Sequence, residues 1–341
     1  MKGELIMNHT QRIEALLGGK KLDTPSMNLW KHFPPYDEQP STLIEKTVQF
    51  QERFDWDFVK VTYQGLYSII DFGAEIKWPE HDCDWPDTCS KVGTVTKLGV
   101  RSTEDWAKLT VQDVTKGYWG DSVAAAKGVV DAFKGKNTPV IITVFSPLTT
   151  GAKLGGDRLF MDMRRDPDTF KKGIEVITET TIRFVDALAA AGADGIFYAS
   201  QLGTYDKLSR DEYEKWGKPY DLAILEHTKN MWFNVMHMHG NCPMFDLMEK
   251  YPVQAINWHD RLIDKPKMKE ARALTDKLLI GGVDEFSILN HGVTEKQMAD
   301  HFAEAIEAEG TGKLILGPGC CVPLNVSENR LETAKRALAS L

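Results

Sequence analysis

Two histidines near position 240 and a cysteine near the C-terminus have the side-chain types and spacing of zinc ligands. His237 and His239 end one apolar run, and Cys320 follows another at residues 314–316. Residues i and i+2 of an extended strand point to the same side, so both imidazoles can face one pocket. Two imidazoles and one thiolate suffice for a zinc site that keeps one position open. The fold must then bring the two strand ends together.

The remaining cysteines offer alternatives to this ligand set. Cys242 lies just past a glycine turn and could replace the second histidine, whereas Cys321 should face differently from its neighbour and is expected to be a packed thiol. A second zinc site would need Cys83 and Cys89, in a polar loop that contains proline, together with His81.

Composition limits the function classes. The chain has 341 residues, 42% of them hydrophobic, and a net charge of −8, which argues against non-specific nucleic-acid binding. The sequence has no apolar run of about 18 residues, so no membrane span is predicted. Five cysteines, without the apolar region of a signal peptide, predict reduced thiols and a cytoplasmic location.

Apolar runs of strand length alternate with amphipathic helical segments along the chain. The eight predicted strands are residues 26–30, 57–63, 139–145, 195–199, 231–237, 253–258, 277–282 and 313–316. Eight such repeats predict an α/β fold, a (β/α)8 TIM barrel, as one domain over residues 1–341. An irregular excursion at about 64–104 carries a predicted hairpin. The alternative is an open doubly wound sheet, but no GxGxxG motif follows the first strand.

In such a barrel the active site lies at the carboxyl ends of the strands, where polar and aromatic residues gather in this sequence. The candidates for catalysis are His259, Tyr198 and Gln64, and those for substrate binding are Trp30, His32, Tyr63, Asn257 and Trp258. His259 could be oriented by Asp260 beside a metal ligand. The same stretch could equally be a core tryptophan followed by a helix N-cap aspartate.

These motifs resemble the uroporphyrinogen decarboxylase superfamily, and more closely its zinc-dependent, corrinoid-linked methyltransferase branch. The resemblance runs from Arg12-Ile13 through Asp71-Phe72-Gly73-Ala74-Glu75-Ile76 to the two ligand stretches. It implies a (β/α)8 barrel. In the methyltransferase branch zinc is held by His-x-Cys-Gly-Asn and Pro-Gly-Cys elements, which fall on His237, His239 and Cys320.

The sequence departs from the decarboxylase pattern after the first strand. The decarboxylases carry Met-Arg-Gln-Ala-Gly-Arg-Tyr there, and this chain reads Trp-Lys-His-Phe-Pro-Pro-Tyr at residues 30–36. The family's central aspartate aligns with Gln64 and its active-site tyrosine with Lys153. A polycarboxylate tetrapyrrole without an arginine clamp is a poor substrate, so uroporphyrinogen itself is not expected.

The sequence also departs from the methyltransferases, which have cysteine where this chain has His239. Two imidazoles and one thiolate leave Zn²⁺ with a net charge of about +1, against about zero with two thiolates. We therefore expect a stronger Lewis acid, tighter binding of a thiolate and easier polarisation of an oxygen leaving group. This weakens the expectation that coenzyme M is the acceptor.

The resemblance implies a zinc enzyme that moves a methyl group between a corrinoid and a small thiol or methoxy compound. The corrinoid (cobalamin) would be carried by a partner protein or act as a substrate, and a homodimer is an allowed arrangement. The alternatives are a decarboxylase or other lyase acting on a small acid, and a metal- or corrinoid-binding barrel without turnover.

Overall fold

Eight parallel strands form one curved sheet in the computed structural model, which describes residues 7–79, 92–262 and 266–341. The strands of this sheet are β1 (Ser26–Met27), β2 (Val59–Val61), β5 (Val140–Phe145), β6 (Gly195–Ser200), β7 (Val235–Met238), β8 (Ala255–Trp258), β9 (Leu278–Val283) and β10 (Leu314–Pro318). A separate antiparallel hairpin joins β3 (Glu75–Lys77) to β4 (Thr94–Lys97). The predicted hairpin within the excursion is therefore confirmed.

Helices pack around the outside of the sheet. They are α1 (His9–Leu17), α2 (Pro40–Phe54), α3 (Tyr67–Ile70), α4 (Gly117–Phe133), α5 (Pro147–Gly155), α6 (Arg158–Arg165), α7 (Pro167–Ala190), α8 (Arg210–Trp216), α9 (Lys218–Glu226), α10 (Phe245–Met248), α11 (Met268–Leu274), α12 (Glu295–Glu309) and α13 (Glu328–Ala339). None of the helices in the described ranges is both long and apolar enough to cross a membrane.

The strand order confirms the barrel architecture and excludes the open doubly wound sheet. From β5 to β10, strands that follow one another in the chain are hydrogen-bonded neighbours. β2 pairs with β5 and β1 pairs with β10, so β1 and β2 lie at the two ends of the sheet. A doubly wound sheet would instead place the first strand in its middle. Successive neighbours curl the sheet until its two ends meet, so the carboxyl ends of all eight strands share one mouth.

Side chains join the two ends of the sheet where no strand ladder does. The Phe58 amide donates to Asn28 Oδ1 at 2.9 Å, and Ser26 and Arg12 both donate to the Asp57 carboxylate. Asn28 and Asp57 are both buried, so these bonds are shielded from water. The seam between β1 and β2 thus depends on a few buried polar contacts.

Aromatic rings fill the lower part of the barrel interior. Trp30 lies between Phe58 and Phe197, with ring centroids 6.2 and 5.5 Å away, and Phe58 contacts Phe233 at 5.2 Å. These residues come from β1, β2, β6 and β7 or from the chain next to them. The interior is therefore a packed core that supports the mouth above it.

Two helices between β5 and α7 were not among the predicted elements. Residues 147–165 include Gly151, Gly155 and Gly156, which favour a loop by propensity alone. The structure overrides this preference by burial, because Leu148, Leu154 and Leu159 all pack into the core. Ser146 also caps α5, its side chain accepting a bond from the Thr149 amide.

Replacing Asn28 tests the seam. We expect Asn28→Ala to lower the free energy of unfolding by about 1–3 kcal/mol, because the buried Phe58 amide would lose its acceptor. Urea unfolding followed by circular dichroism measures the change. Asn329→Ala, at an exposed position of α13, is the matched control and should change it by less than about 0.5 kcal/mol. Equal stability of the two variants would contradict a structural role for the seam.

Candidate metal centre and adjoining cavity

The three predicted ligands meet at the barrel mouth. His237 is in β7, His239 follows that strand by one residue, and Cys320 lies two residues after β10. One ligand atom from each lies within 4.8 Å of the other two. This is the one group of three or more His, Cys, Asp or Glu side chains within the described residues that could hold a metal ion, and Cys242 is not part of it.

An asparagine fixes the orientation and tautomer of His237. Asn257 Nδ2 donates to the carbonyl oxygens of Ile280 and Pro318, both at 2.9 Å, so the amide oxygen must face the histidine. His237 Nδ1 lies 2.6 Å from that oxygen and is therefore the protonated nitrogen. The lone pair of Nε2 is left free for a metal, and the hydrogen bond on the other nitrogen holds the ring in place.

His239 is held from the side by a second histidine. His259 Nε2 lies 3.2 Å from His239 Nδ1, and His259 Nδ1 lies 3.6 Å from Glu285 Oε1. The carboxylate beside His259 is therefore Glu285 and not Asp260, which accepts a bond from the Gly282 amide instead. His259 thus lies beside a metal ligand, as the first sequence interpretation expects, but without Asp260, and Trp258 is the core tryptophan of the second.

Glu285 also holds the loop that carries the cysteine. Its two oxygens accept the amide protons of Gly319 and Cys320, at 3.0 and 3.1 Å. Gly319 must be a glycine here, because a Cβ would come within 2.8 Å of His259 Nδ1. Burial raises the pKa of Glu285 to about 7 despite these two amide bonds. One carboxyl group therefore fixes both the cysteine loop and His259.

The three histidines that meet at the candidate metal centre have lowered pKa values, whereas the pKa of His32, on the cavity wall, is raised to about 10 by Cys321 and Asp37 despite burial. Burial lowers the pKa of His237 well below 6.5, lowers that of His239, and lowers that of His259 to about 4. Neutral imidazole is the form that binds metals, whereas imidazolium has no free lone pair.

Two neutral imidazoles with a thiol form a donor set that suits zinc. Ligand atoms around tetrahedral Zn²⁺, with bonds of about 2.0–2.3 Å, lie roughly 3.3–3.8 Å apart. The 4.8 Å limit on the present separations is compatible with that spacing after small side-chain movements. The residues therefore fit a three-ligand site, and His239 and Cys320 are its partly exposed members.

A cavity of about 350 Å³ opens at the barrel mouth, and none of the three ligand side chains lines it. Its walls include His32 and Gln64 from the ends of the first two barrel strands, Trp78 and Val92 from the hairpin, and Lys153 from α5. His32 lies between Asp37, with Nδ1 and Oδ2 3.4 Å apart, and the Cys321 side chain, to which it hydrogen-bonds. Larger depressions on the described surface lie away from the ligand group. The cavity approaches the ligand group through His32, because Cys321 directly follows Cys320 in the chain, and it could admit a small molecule.

Three of the predicted substrate or catalytic residues lie away from the cavity. Tyr198 points into the helix layer, where its hydroxyl donates to Asp221 at 2.6 Å, and Trp258 donates to the Pro266 carbonyl at 2.7 Å. Trp30 belongs to the aromatic layer below the mouth. Alternation along a strand explains the placement of Tyr198 and Trp258, because residues next to an inward-facing position face outward, whereas Trp30 faces inward but lies below the mouth.

The other candidates lie near the mouth in different settings. His32 and Gln64 line the cavity, His259 contacts His239, and Asn257 lies behind His237. Tyr63 packs against the ring of Tyr67 at 6.1 Å, beyond the residues that line the cavity. The candidate second zinc site with Cys83, Cys89 and His81 lies outside the described residues.

Two lysines, the buried Lys60 and the half-buried Lys153, were not among the predicted site residues. Lys60 Nζ donates to Thr62 and lies 4.4 Å from the Phe197 ring, which itself stacks on His237. Lys153 Nζ lies 3.3 Å from the centre of the Phe145 ring and donates to the Gly65 carbonyl. Burial lowers the pKa of both, that of Lys153 to about 7. In the sequence, Lys60 could have been noticed as a lysine inside an otherwise apolar strand. Lys153 could have been noticed because it aligns with the family's active-site tyrosine.

Comparison with known proteins shows the family of this chain. The model of the uroporphyrinogen decarboxylase (URO-D) family matches residues 27–340. The chain belongs to the URO-D family. The structure is similar to a methyltransferase from Methanosarcina mazei, with a TM-score of 0.81, 18% identity, and coverage of 98% of this chain and 99% of that one. The predicted resemblance and the barrel fold are thereby confirmed.

Curated relatives of this URO-D chain carry two kinds of name. It is 24% identical over 229 residues to the methylcobamide:CoM methyltransferase MtbA of Methanosarcina acetivorans, and 24% over 228 residues to that of Methanosarcina mazei. These matches cover 67% and 66% of this chain, and only 65% and 66% of the relatives' own length. A uroporphyrinogen decarboxylase of Solibacter usitatus is 24% identical over 209 residues, 59% of this chain and 56% of that protein.

Replacing Asn257 tests the orientation of His237. We expect Asn257→Ala to weaken zinc binding by about 10–100-fold, because the imidazole would lose the acceptor that fixes its tautomer. Competition with a chromophoric chelator measures the dissociation constant, and Asn329→Ala is again the matched control. Unchanged zinc affinity in Asn257→Ala would contradict this role.

Replacing Tyr198 separates a structural from a catalytic role. Tyr198→Phe should lower the free energy of unfolding by about 1.5–3 kcal/mol, because the buried Asp221 carboxylate would lose a donor. Zinc affinity should not change. Tyr205→Phe, at an exposed position, is the control for stability and should cost less than about 0.5 kcal/mol. A loss of zinc affinity at unchanged stability would place Tyr198 in the site after all.

Proposed function

We propose that this protein is a zinc-dependent methyltransferase that moves a methyl group between a corrinoid and a small thiol or methoxy compound. The observation that carries the proposal is the meeting of His237, His239 and Cys320 at the mouth of a URO-D barrel. The relatives named as methylcobamide:CoM methyltransferases support it. Their names are evidence about those proteins, and the activity is a proposal for this one.

The protein's own residues would arrange the reacting groups. His237, His239 and Cys320 would hold the metal, while Asn257 and Glu285 fix the first histidine and the cysteine loop. Zinc bound there would supply Lewis-acid chemistry, lowering the pKa of a bound thiol or polarising a methoxy oxygen. Burial lowers the pKa of His237 and His259, which favours the neutral imidazole form that a metal requires.

The donor set favours acceptors and donors other than those of a two-thiolate site. With two neutral imidazoles and one thiolate, the centre has a net charge of about +1. Such a centre holds a thiolate more tightly and makes it a weaker nucleophile, and it assists departure of an oxygen leaving group. Methoxy compounds therefore stand beside thiols as candidate substrates.

The corrinoid would approach from outside. The cavity of about 350 Å³ lies within the size range of small-molecule sites, but it is too small for a corrin ring with its side chains. The small substrate would occupy the cavity, and the corrinoid, carried by a separate protein, would dock over the mouth. In the thiol direction the carbon–cobalt bond breaks, a carbon–sulfur bond forms, cobalt keeps the electron pair and the thiol proton passes to solvent.

Decarboxylation is the second candidate, because a decarboxylase is among the curated relatives. Among the described residues that line the cavity there is no arginine, and Gln64 and Lys153 lie where the family's aspartate and tyrosine align. Several carboxylates of a tetrapyrrole would therefore have no bidentate partner there. A lyase acting on a smaller acid is the form of this alternative that the cavity allows.

Corrin spectra test the proposal directly. The zinc-loaded protein is mixed with methylcobalamin and a panel of thiols, or with cob(I)alamin and a panel of methoxy compounds. We expect at least one compound to interconvert the two corrin spectra at a rate above that without protein. If no compound does so, and a small acid instead releases carbon dioxide, the lyase is the correct function.

Replacing the cysteine ligand should remove the activity. Cys320→Ala is expected to lower zinc affinity by at least about 100-fold and to abolish catalysed methyl transfer, since two imidazoles alone make an incomplete site. Cys242→Ala is the matched control, because this cysteine lies outside the ligand group, and it should keep both properties. Metal analysis and the corrin assay measure the two effects. Full activity of zinc-free Cys320→Ala would refute the proposal.

A further inference from the structure

The two histidines at the end of β7 each lie beside a polar side chain from β8. The parallel register of these strands pairs His237 with Asn257, and two residues further along both chains His239 lies beside His259. His237 Nδ1 is 2.6 Å from Asn257 Oδ1, and His239 Nδ1 is 3.2 Å from His259 Nε2. Each imidazole of the candidate metal centre thus has one partner at the matching position of the neighbouring strand.

His259 is a neighbour of the ligand group and not a member of it. Among the described residues, the group that could hold a metal ion consists of His237, His239 and Cys320. The His259 ring lies edge-on to that of His239, with ring centroids 4.9 Å apart and an angle of 74° between the ring planes. The two facing nitrogen atoms are at hydrogen-bonding distance. The direction of that hydrogen bond decides whether His239 can bind a metal.

The proton positions in this histidine pair follow from Glu285. Its Oε1 lies 3.6 Å from His259 Nδ1, and both side chains are buried. A carboxylate oxygen beside Nδ1 favours the tautomer of His259 that carries its proton there, so Nε2 has a lone pair and accepts the N–H of His239 Nδ1. The Nε2 of His239 is then free for a metal ion. In the opposite arrangement His239 would carry its proton on the metal-binding nitrogen.

We propose that His259 is the positioning residue of His239, accepting its Nδ1 proton and so fixing the ring and the tautomer in which Nε2 binds the metal. The requirement is specific to an imidazole ligand. The second nitrogen of an imidazole carries a proton whose acceptor sets the tautomer, whereas a thiolate at position 239 would have no proton to place. This inference rests on the metal-binding part of the proposed function and not on the transfer of a methyl group.

His259 also packs against the loop that carries the cysteine ligand. A Cβ at Gly319 would come within 2.8 Å of His259 Nδ1 and 2.9 Å of its Cα, so the loop lies directly on this residue. A variant that lacks the imidazole would therefore also disturb Cys320 through packing. Such a disturbance does not depend on which residue occupies position 239, whereas the loss of a proton acceptor does.

A double-mutant cycle over positions 239 and 259 tests the proposal. Competition with a chromophoric chelator gives the zinc dissociation constants of the wild type, His259→Leu, His239→Cys and the variant with both changes. We expect His259→Leu to weaken zinc binding about 10–100-fold when residue 239 is histidine, and less than about three-fold when it is cysteine. His259→Gln, whose amide oxygen can accept the same proton, should weaken it by less than about five-fold.

The tautomer of His239 gives a second measurement, which packing alone would not change. NMR of the zinc-loaded protein with isotope-labelled histidine identifies the His239 signals by their loss in His239→Cys. We expect a proton on Nδ1 and none on Nε2. In His259→Leu this Nδ1 proton should exchange with water and its signal should broaden or disappear, because its acceptor has been removed.

Matched controls and stated contrary results keep the proposal falsifiable. His227→Leu removes an exposed histidine that pairs with Asp186 and should keep the zinc affinity of the wild type, and thermal unfolding verifies that each variant is folded. The proposal is overturned if folded His259→Leu binds zinc like the wild type, or if it loses the same affinity with histidine and with cysteine at position 239. Should His239→Cys bind no zinc, rescue by His259→Gln supports the proposal, and a loss equal to that of His259→Leu overturns it.

Failure of the proposed function gives a different result. A wild-type protein that binds no zinc refutes both the proposed function and the role of His259. The expected cycle of zinc affinities without any methyl transfer supports the role of His259 and refutes the proposed function alone.

Discussion

One buried amide connects the parts of the barrel on which the candidate metal centre depends. Asn257, in β8, accepts a hydrogen bond from His237 in β7 and donates to carbonyl groups of β9 and β10. β10 is the strand that leads to Cys320. The amide therefore fixes the tautomer of one ligand and links that ligand's strand to the strand of another. Because an amide can donate and accept at the same time, no apolar residue of similar size could replace it.

Glu285 provides the complementary constraint on the other side of the centre. The backbone of residues 319 and 320 would otherwise carry two amide protons without acceptors in a buried loop, and the carboxylate accepts both. The same group lies beside His259, which in turn contacts His239. The three ligands are thus held by polar residues from neighbouring strands, which is the arrangement that metal sites use to orient their ligands before the metal binds.

The chemistry of the mouth combines a metal-binding half with a hydrogen-bonding half. In the metal-binding half, burial lowers the pKa of both histidine ligands. The cavity half contains a lysine whose charge is only partly stabilised by the protein. The described walls of the cavity contain no arginine, so a group with several carboxylates would lack a bidentate partner there.

The sequence alone predicted the architecture and the three candidate metal ligands of this protein. Eight apolar runs alternating with helices predicted the barrel, and the i, i+2 spacing of His237 and His239 placed both rings on one side of a strand, because both patterns are local periodicities. Tertiary structure alone decided which polar residues belong to the site. Tyr198 and Trp258 lie in barrel strands close to the carboxyl ends, as Asn257 does, yet they face the helix layer, because the pleat turns adjacent residues in opposite directions and the exact register was not readable from composition. The roles of Glu285, Lys60 and Lys153 were likewise hidden, since each depends on contacts between strands or helices far apart in the chain. The partner of a buried charged side chain can be identified only from the tertiary structure.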